Sequence, residues 1–293
     1  MAEDIQERRR RHRRQRWGAR LGRCMMYAVI AEAFLIPLLP LAAHVALGIG
    51  CVAILLRLCI ERDFHLCRMP YDAPALLFLV ISFLSVFIAP DVSFSLYNFS
   101  HLVPIYVSTY LLVGQTVRTS REVQRVVIAM ALSAALVILY GFYQFIFGID
   151  ISAMKWVDGA AFPELSKRVF STWENPNILA GYLDIVACLA LGLAVGLSGW
   201  RRGLALTILV LALACLGMTY ARGACLVIGI LLAGYGVLRD WRVLLGIVAI
   251  GAGVLFFDPV LSDRLLSVFT RIDTSSEMRL AFWESTVAMI MDH

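Results

Sequence analysis

The sequence predicts an all-α fold, a polytopic bundle of about nine transmembrane helices. Hydrophobic residues make up 60% of the 293 residues and charged residues only 16%, and the mean hydropathy is +0.80. These values lie well outside the usual range for a soluble domain of this length. The apolar runs also repeatedly approach the roughly 20 residues that an α-helix needs to cross a bilayer. A soluble fold is therefore a poor explanation of the composition.

Nine apolar runs are the candidate spans. Residues 24–56 are too many for one crossing, because a single helix of that length would extend roughly 50 Å. Pro37 and Pro40 predict a tight hairpin turn that divides this segment. The predicted spans are residues 24–39, 42–60, 73–89, 98–114, 126–147, 177–197, 204–219, 222–238 and 243–257.

The positive charges predict the orientation of these spans, because Lys and Arg accumulate on the cytoplasmic side of membrane proteins. With a cytoplasmic N-terminus, nineteen of the 26 Lys and Arg residues fall inside and seven outside. Nine of the nineteen lie in the first 23 residues, where contact with anionic headgroups explains them better than nucleic-acid binding does. No small-residue cleavage site follows the first apolar run, so we expect this run to remain as an anchor.

The predicted topology divides the chain into three segments. Residues 1–23 form a cytoplasmic Arg-rich segment, and residues 24–257 form the transmembrane helical domain, with an external loop at 148–176. Residues 258–293 begin a large external loop within which we expect the chain to be truncated. The apolar spacing of residues 277–291 predicts an amphipathic helix there, so that the C-terminal segment is external.

The seven cysteines predict neither a disulfide framework nor a metal site. They lie in apolar runs or in loops on the predicted cytoplasmic side, and their spacing matches no zinc or haem motif. We interpret them as small apolar core residues. They are Cys24, Cys51, Cys59, Cys67, Cys188, Cys215 and Cys225.

Charged residues within or beside the spans are the candidates for function, because charge is costly there. Arg222 lies where two apolar runs meet, in MTYARGACLVIG. It either projects into an external cavity or extends to the headgroups. Glu32 and Asp184 are predicted inside spans, either as proton relays or as halves of buried ion pairs, with structural pairing favoured. The histidines indicate no catalytic site, since none is paired with a nucleophile or a metal-ligand set.

The stretch RVFSTWENPN, residues 168–177, places polar side chains at the start of the sixth predicted span. Pro176 suits the first turn of a helix, and Asn175 or Asn177 suits its N-cap. Capping is the simpler interpretation of the two Asn residues. The alternative is an outward-facing anion site made by the helix N-terminus, Arg168 and the amides together.

Three stretches resemble the successive motifs of the O-antigen ligase and O-antigen polymerase superfamily. They are RVFSTWENPNILAGYL, MTYARGACLVIGI and RLAFWESTVAMIMDH, and they occur in that family's order over residues 168–293. Residues 1–167 resemble the family only in hydropathy. The resemblance implies a multi-pass protein of the bacterial cytoplasmic membrane that acts in lipopolysaccharide or polysaccharide biosynthesis of the cell envelope.

The resemblance also implies the reaction and the residues that bind the donor. Such an enzyme transfers glycan from undecaprenyl diphosphate, at the external face, to a lipid A core sugar (ligase) or to a second lipid-linked glycan (polymerase). Arg168, Arg222 and Arg279 match the family's arginine positions and would bind the diphosphate and stabilise the leaving group without a metal or other cofactor. The expected supporting residues are Asn175, Asn177 and Trp283.

The chain departs from the family's pattern where it stops. Family members continue past an Asp-His-Pro junction into a loop that usually carries a catalytic His, whereas this sequence stops at Asp292 and His293. The catalytic residues are therefore unknown, and acceptor deprotonation needs a base from outside the sequence. A transporter or flippase of a lipid-linked or anionic solute is one alternative, and it predicts broken helices meeting at the membrane midplane. A non-catalytic membrane scaffold is the other, and it predicts arginines that lie far apart.

Overall fold

A computed structural model describes residues 2–61, 63–148, 168–243, 245–246, 249 and 274–292, and most of these described residues lie in α-helices. These described residues contain no β-strand, so the all-α prediction is confirmed. The helices are α1 (Ala2–Leu35), α2 (Pro40–Ile60), α3 (Asp72–Ile88), α4 (Val92–Thr116), α5 (Ser120–Phe147), α6 (Pro176–Gly196), α7 (Gly199–Met218), α8 (Arg222–Leu238) and α9 (Thr274–Asp292).

Four of the described helices, α2, α5, α6 and α7, are long and apolar enough to cross a membrane. The shortest has 20 residues, which at 1.5 Å per residue gives about 30 Å, the thickness of a hydrocarbon core. α3 and α8 are apolar but have only 17 residues each. These helices indicate a membrane protein. Most of the ninth predicted span, 243–257, lies outside the described residues.

The first two helices form the predicted hairpin. α1 begins at Ala2, so the Arg-rich segment and the first predicted span make one helix of 34 residues. The chain then turns at residues 36–38, where the N–H of Leu39 donates to the carbonyl of Leu35 at 2.7 Å. Pro40 begins α2, in the first turn where its missing N–H costs no hydrogen bond.

The chain forms two compact units, Met1–Val137 and Ile138–His293. In the first unit, α1 and α2 pack along each other, and α4 packs on both. Met25, Val29 and Leu112 are fully buried at this contact. Gly50 permits the close approach of α2 and α4, because a Cβ there would overlap the side chain of Leu112.

Glu32 is the buried carboxylate of the first unit. Its side chain is 4% exposed, and its Oε1 accepts a hydrogen bond of 2.6 Å from Thr109 on α4. Its Oε2 is buried and has no hydrogen-bond partner among the described residues. Among the described residues Glu32 therefore forms a hydrogen bond with a hydroxyl and not the predicted ion pair.

In the second unit α6 packs against α7 and α8. α6 buries a face of small residues that includes Ala180, Ala187 and Ala190, and the buried residues of α7 include Ala212 and Cys215. Small side chains let membrane helices approach closely, so that van der Waals contacts hold the pair together. All seven cysteines of the chain are free.

α9 occupies the region in which an amphipathic helix is predicted. Its side chains from Met278 to Asp292 are all exposed. Leu280 and Phe282, two positions apart, place apolar groups on nearly opposite faces of the helix. The helix is therefore less amphipathic than the sequence predicts.

Candidate functional site

Residues 168–175, which we name the docked loop, lie against the connection between α7 and α8. The N–H of Val169 donates to the carbonyl of Met218 at 3.1 Å, and Nε of Arg168 donates to the carbonyl of Thr219 at 2.8 Å. Val169 and Phe170 are buried. Two of the three sequence motifs, which begin 50 residues apart in the chain at Arg168 and Met218, therefore meet in one place.

Gln144, on α5, holds the docked loop through its side-chain amide. Its Oε1 accepts the backbone N–H groups of Phe170 at 3.2 Å and Ser171 at 2.6 Å, and its Nε2 donates to the carbonyl of Ser171 at 3.1 Å. The side chain is only 5% exposed. One buried amide thus satisfies three backbone groups that would otherwise have lost their hydrogen bonds to water. The only sequence signal for this role is a glutamine within an apolar run.

The start of α6 has the cap that the sequence suggests. Asn175 is the N-cap residue in extended conformation, and its Oδ1 accepts the N–H of Asn177 at 2.8 Å. Pro176 occupies the first turn. Asn177 has a different role, because its own Oδ1 accepts a hydrogen bond of 3.1 Å from Nη2 of Arg168.

Arg168 consequently joins the start of α6 to the α7–α8 connection, since its guanidinium contacts both Asn177 and Thr219. Thr219 is fully buried, and its Oγ1 accepts the N–H of Ala221, the N-cap residue of α8, at 3.2 Å. Arg222 follows as the first residue of α8, and its side chain is half-buried. The N-termini of α6 and α8 therefore lie at the same end of this unit, with Arg168 between them.

The backbone of this region contains three non-glycine residues in the left-handed conformation. They are Ser171 and Glu174 in the docked loop, with φ of 50° and 55°, and Tyr220 in the connection, with φ of 52°. No other described non-glycine residue has a positive φ. This conformation costs roughly 1–2 kcal/mol for each such residue. Residues of this kind cluster at functional sites, where the surrounding structure holds them in place.

Trp173 and Asp184 supply buried polar atoms without partners near this end of α6. The Trp173 ring packs against Tyr182, with ring centroids 5.2 Å apart. Its Nε1 has no hydrogen-bond partner among the described residues, and neither has Oδ1 of Asp184, two turns into α6. In the described structure Asp184 does not form the predicted ion pair.

Positively charged groups gather at this end of the unit, together with the carboxylate of Glu174 in the docked loop. Helix N-termini carry partial positive charge and present N–H groups, and the guanidinium groups of Arg168 and Arg222 add full positive charge. Guanidinium groups also match the geometry of phosphate oxygens. Among the described residues, no group of three or more His, Cys, Asp or Glu side chains is placed to hold a metal ion.

The third predicted arginine is not part of the contacts described above. Arg279 and Trp283 lie on α9 with exposed side chains. His293 and residues 149–167 of the predicted external loop lie outside the described residues. The structure therefore brings Arg168 and the start of α8 together and leaves Arg279 to be tested.

The chain matches no protein-family model, no curated protein and no solved structure. The resemblance of the three motifs to a family therefore stays a prediction.

Proposed function

We propose that the docked loop and the N-termini of α6 and α8 form the diphosphate site of a membrane glycosyltransferase of the O-antigen ligase or polymerase type. The observation that carries this proposal is Arg168, whose guanidinium bonds to Asn177 at the start of α6 and to Thr219 just before α8. Arg222 adds a second guanidinium at the first position of α8. An anionic ligand fits this end of the unit better than a neutral or cationic one.

In the proposed reaction, the bond between the glycan's anomeric carbon and the diphosphate oxygen breaks, and an acceptor hydroxyl forms the new glycosidic bond. The acceptor is a lipid A core sugar or a second lipid-linked glycan. The diphosphate leaves with the electron pair, and the arginines and helix N-termini stabilise its charge. The hydroxyl proton passes to a general base.

The proposed setting is the external face of a bacterial cytoplasmic membrane. About nine spans and a cytoplasmic N-terminus would place the docked loop outside, where lipid-linked glycans are presented to acceptors. Lys and Arg are in excess in the segments that this topology places on the same side of the membrane as the N-terminus, and this excess supports a cytoplasmic N-terminus.

Ligand binding to the purified full chain tests the proposed site. The probes are an undecaprenyl-diphosphate-linked glycan and undecaprenyl monophosphate. We expect Arg222→Gln to weaken binding of the diphosphate probe about tenfold or more, because a charged hydrogen bond contributes about 1.5–3 kcal/mol. Arg279→Gln decides whether α9 belongs to the site. Arg202→Gln, at an exposed position of α7, is the matched control and should bind as the parent does.

Arg168 needs a separate design, because its guanidinium also holds the docked loop in place. Arg168→Lys keeps the charge and Arg168→Gln removes it, and both are compared with the parent by thermal unfolding. The two variants are compared when they unfold at the same temperature. If Arg168→Gln then binds the diphosphate probe more weakly than Arg168→Lys does, Arg168 contacts the diphosphate directly. Unchanged diphosphate binding in the Arg168 and Arg222 variants would contradict the proposed site.

Transport of an anionic or lipid-linked solute is the second candidate function. The buried, unpartnered oxygens of Glu32 and Asp184 favour it, because ionisable groups inside membrane helices are typical of proton-coupled transporters. Flux into liposomes under a proton gradient separates the two functions. Uptake that is lost in Glu32→Gln or Asp184→Asn would favour a transporter, whereas no uptake would favour the transferase.

A further inference from the structure

A groove of about 440 Å³ lies between α1 and α2 in the first unit, and its lining changes character along its length. The guanidinium-bearing residues are at the N-terminal end of the groove, and small or apolar side chains line the remainder. The lining includes Arg20, Arg23, Tyr27, Ala31, Ala46 and Ile49. The alanines give the groove its depth, because a methyl group leaves space between the two helix backbones.

The position of the groove along α1 matches the layers of a membrane. Arg20 and Arg23 directly precede the first predicted span, which begins at residue 24. From Arg20 to Ala31 the helix advances about 16 Å, roughly half of the hydrocarbon core. In the predicted topology the charges thus lie at the depth of lipid headgroups, and the apolar wall extends to the depth of acyl chains.

The two arginines keep their positive charge available. Both side chains are exposed, and neither forms an ion pair with a described carboxylate. The acid that lies against α1 at this level is Glu61, which is already paired with Arg57 at 2.7 Å. The guanidinium of Arg20 lies 5.3 Å from the ring centroid of Trp17, a contact that steadies it without neutralising it.

We propose that this groove binds one anionic glycerophospholipid of the surrounding membrane. Its phosphate contacts Arg20 and Arg23, and one acyl chain lies against Tyr27, Ala31 and Ile49. Charge complementarity selects this occupant, since a helix of another protein or a zwitterionic lipid gains less from two adjacent guanidinium groups. The groove belongs to the first unit and the docked loop to the second, so this lipid site does not depend on the proposed function.

Lipid retention by the full chain tests the headgroup contact. The protein is reconstituted in nanodiscs of phosphatidylcholine with or without phosphatidylglycerol and then extracted, and the retained lipid is counted by native mass spectrometry. We expect the parent to retain phosphatidylglycerol in preference to phosphatidylcholine. Arg20→Gln/Arg23→Gln should lower that preference about tenfold. The matched control is Arg13→Gln/Arg14→Gln, which removes the same charge from exposed positions of α1 outside the groove and should change it less than twofold.

A second variant tests the acyl-chain contact. Ala31→Leu fills the apolar part of the groove and should lower retention of phosphatidylglycerol several-fold, whereas Ala19→Leu, exposed on α1 outside the groove, should not. Circular dichroism confirms that the variants remain helical. If both arginine double variants lose the preference for phosphatidylglycerol equally, the preference arises from the general surface charge of α1. That result, or retention without a headgroup preference in the parent, would overturn the proposed lipid site.

Discussion

Gln144 is the single side chain that makes the most hydrogen bonds to the backbone of the docked loop among the bonds described above. Its amide supplies an acceptor for two N–H groups and a donor for one carbonyl of Phe170 and Ser171. These backbone groups belong to no helix, and a loop buried without such bonds would be unstable. The side-chain amide of Gln144 therefore provides the hydrogen bonds that these backbone groups would form within a helix or a strand.

Gln144→Leu should release the docked loop. Leucine has a similar size but no polar atoms, so the three backbone bonds are lost, at a cost of about 3 kcal/mol. We expect hydrogen exchange at the N–H groups of Phe170 and Ser171 to accelerate about a hundredfold. Gln124→Leu, at an exposed position of the same helix, should leave these rates unchanged. Equal protection in the Gln144 variant would mean that other contacts hold the loop.

Asn175 contributes a second residue-scale effect, the N-cap of α6. Asn175→Ala removes the acceptor for the N–H of Asn177 and should destabilise the protein by about 1 kcal/mol. Asn175→Asp keeps an oxygen in the same position and should retain most of the stability. Thermal unfolding in mild detergent measures both variants. A destabilisation by Asp as large as that by Ala would show that the cap contributes little.

At the scale of elements, α5, α7 and the docked loop converge on Gly141. A Cβ built there would lie 2.7 Å from Sγ of Cys215 and 3.2 Å from Cγ1 of Val169. Only a residue without a side chain allows the helix, its neighbour and the loop to pack this closely. The position of the loop thus depends on the packing of α5 and α7 as well as on Gln144.

Gly141→Val should separate these elements. The added methyl groups overlap Cys215 and Val169, and overpacking of this kind costs about 1–3 kcal/mol. We expect a lower unfolding temperature and weaker binding of the diphosphate probe. Gly192→Val on α6 is the matched control, because a Cβ there meets no atom within 4 Å. If the Gly141 variant is as stable as the Gly192 variant, close packing at Gly141 is not needed for the stability of this unit.

The elements themselves were largely predictable from the sequence, whereas their contacts were not. The Asn-Pro pair at residues 175 and 176 predicts the start of α6 because capping and proline geometry act locally. The bond from Arg168 to the carbonyl of Thr219 depends on a tertiary contact, and no local pattern encodes a backbone acceptor 51 residues away. The role of Gln144 could not be predicted for the same reason, because its hydrogen-bond partners are backbone groups of a distant loop.

At the scale of the whole molecule, the distribution of positive charge predicts which side of the membrane each proposed site faces. The predicted orientation places nineteen of the 26 Lys and Arg residues, including the groove arginines Arg20 and Arg23, in the cytoplasm. It places Arg168 and Arg222 on the opposite side. One chain would then present an anionic-lipid groove to the inner leaflet and an anion site to the outside.

Reporter fusions test this orientation directly. We expect alkaline phosphatase to be active when fused after Asp91, between α3 and α4, and green fluorescent protein to be fluorescent when fused after Ser198, between α6 and α7. The reciprocal fusions should be silent, because each reporter folds on only one side of the membrane and the positive charges favour a cytoplasmic N-terminus. The reverse pattern would place the docked loop in the cytoplasm. Transfer from a lipid-linked donor at the external face would then be excluded, and the diphosphate site would have to serve a cytoplasmic ligand.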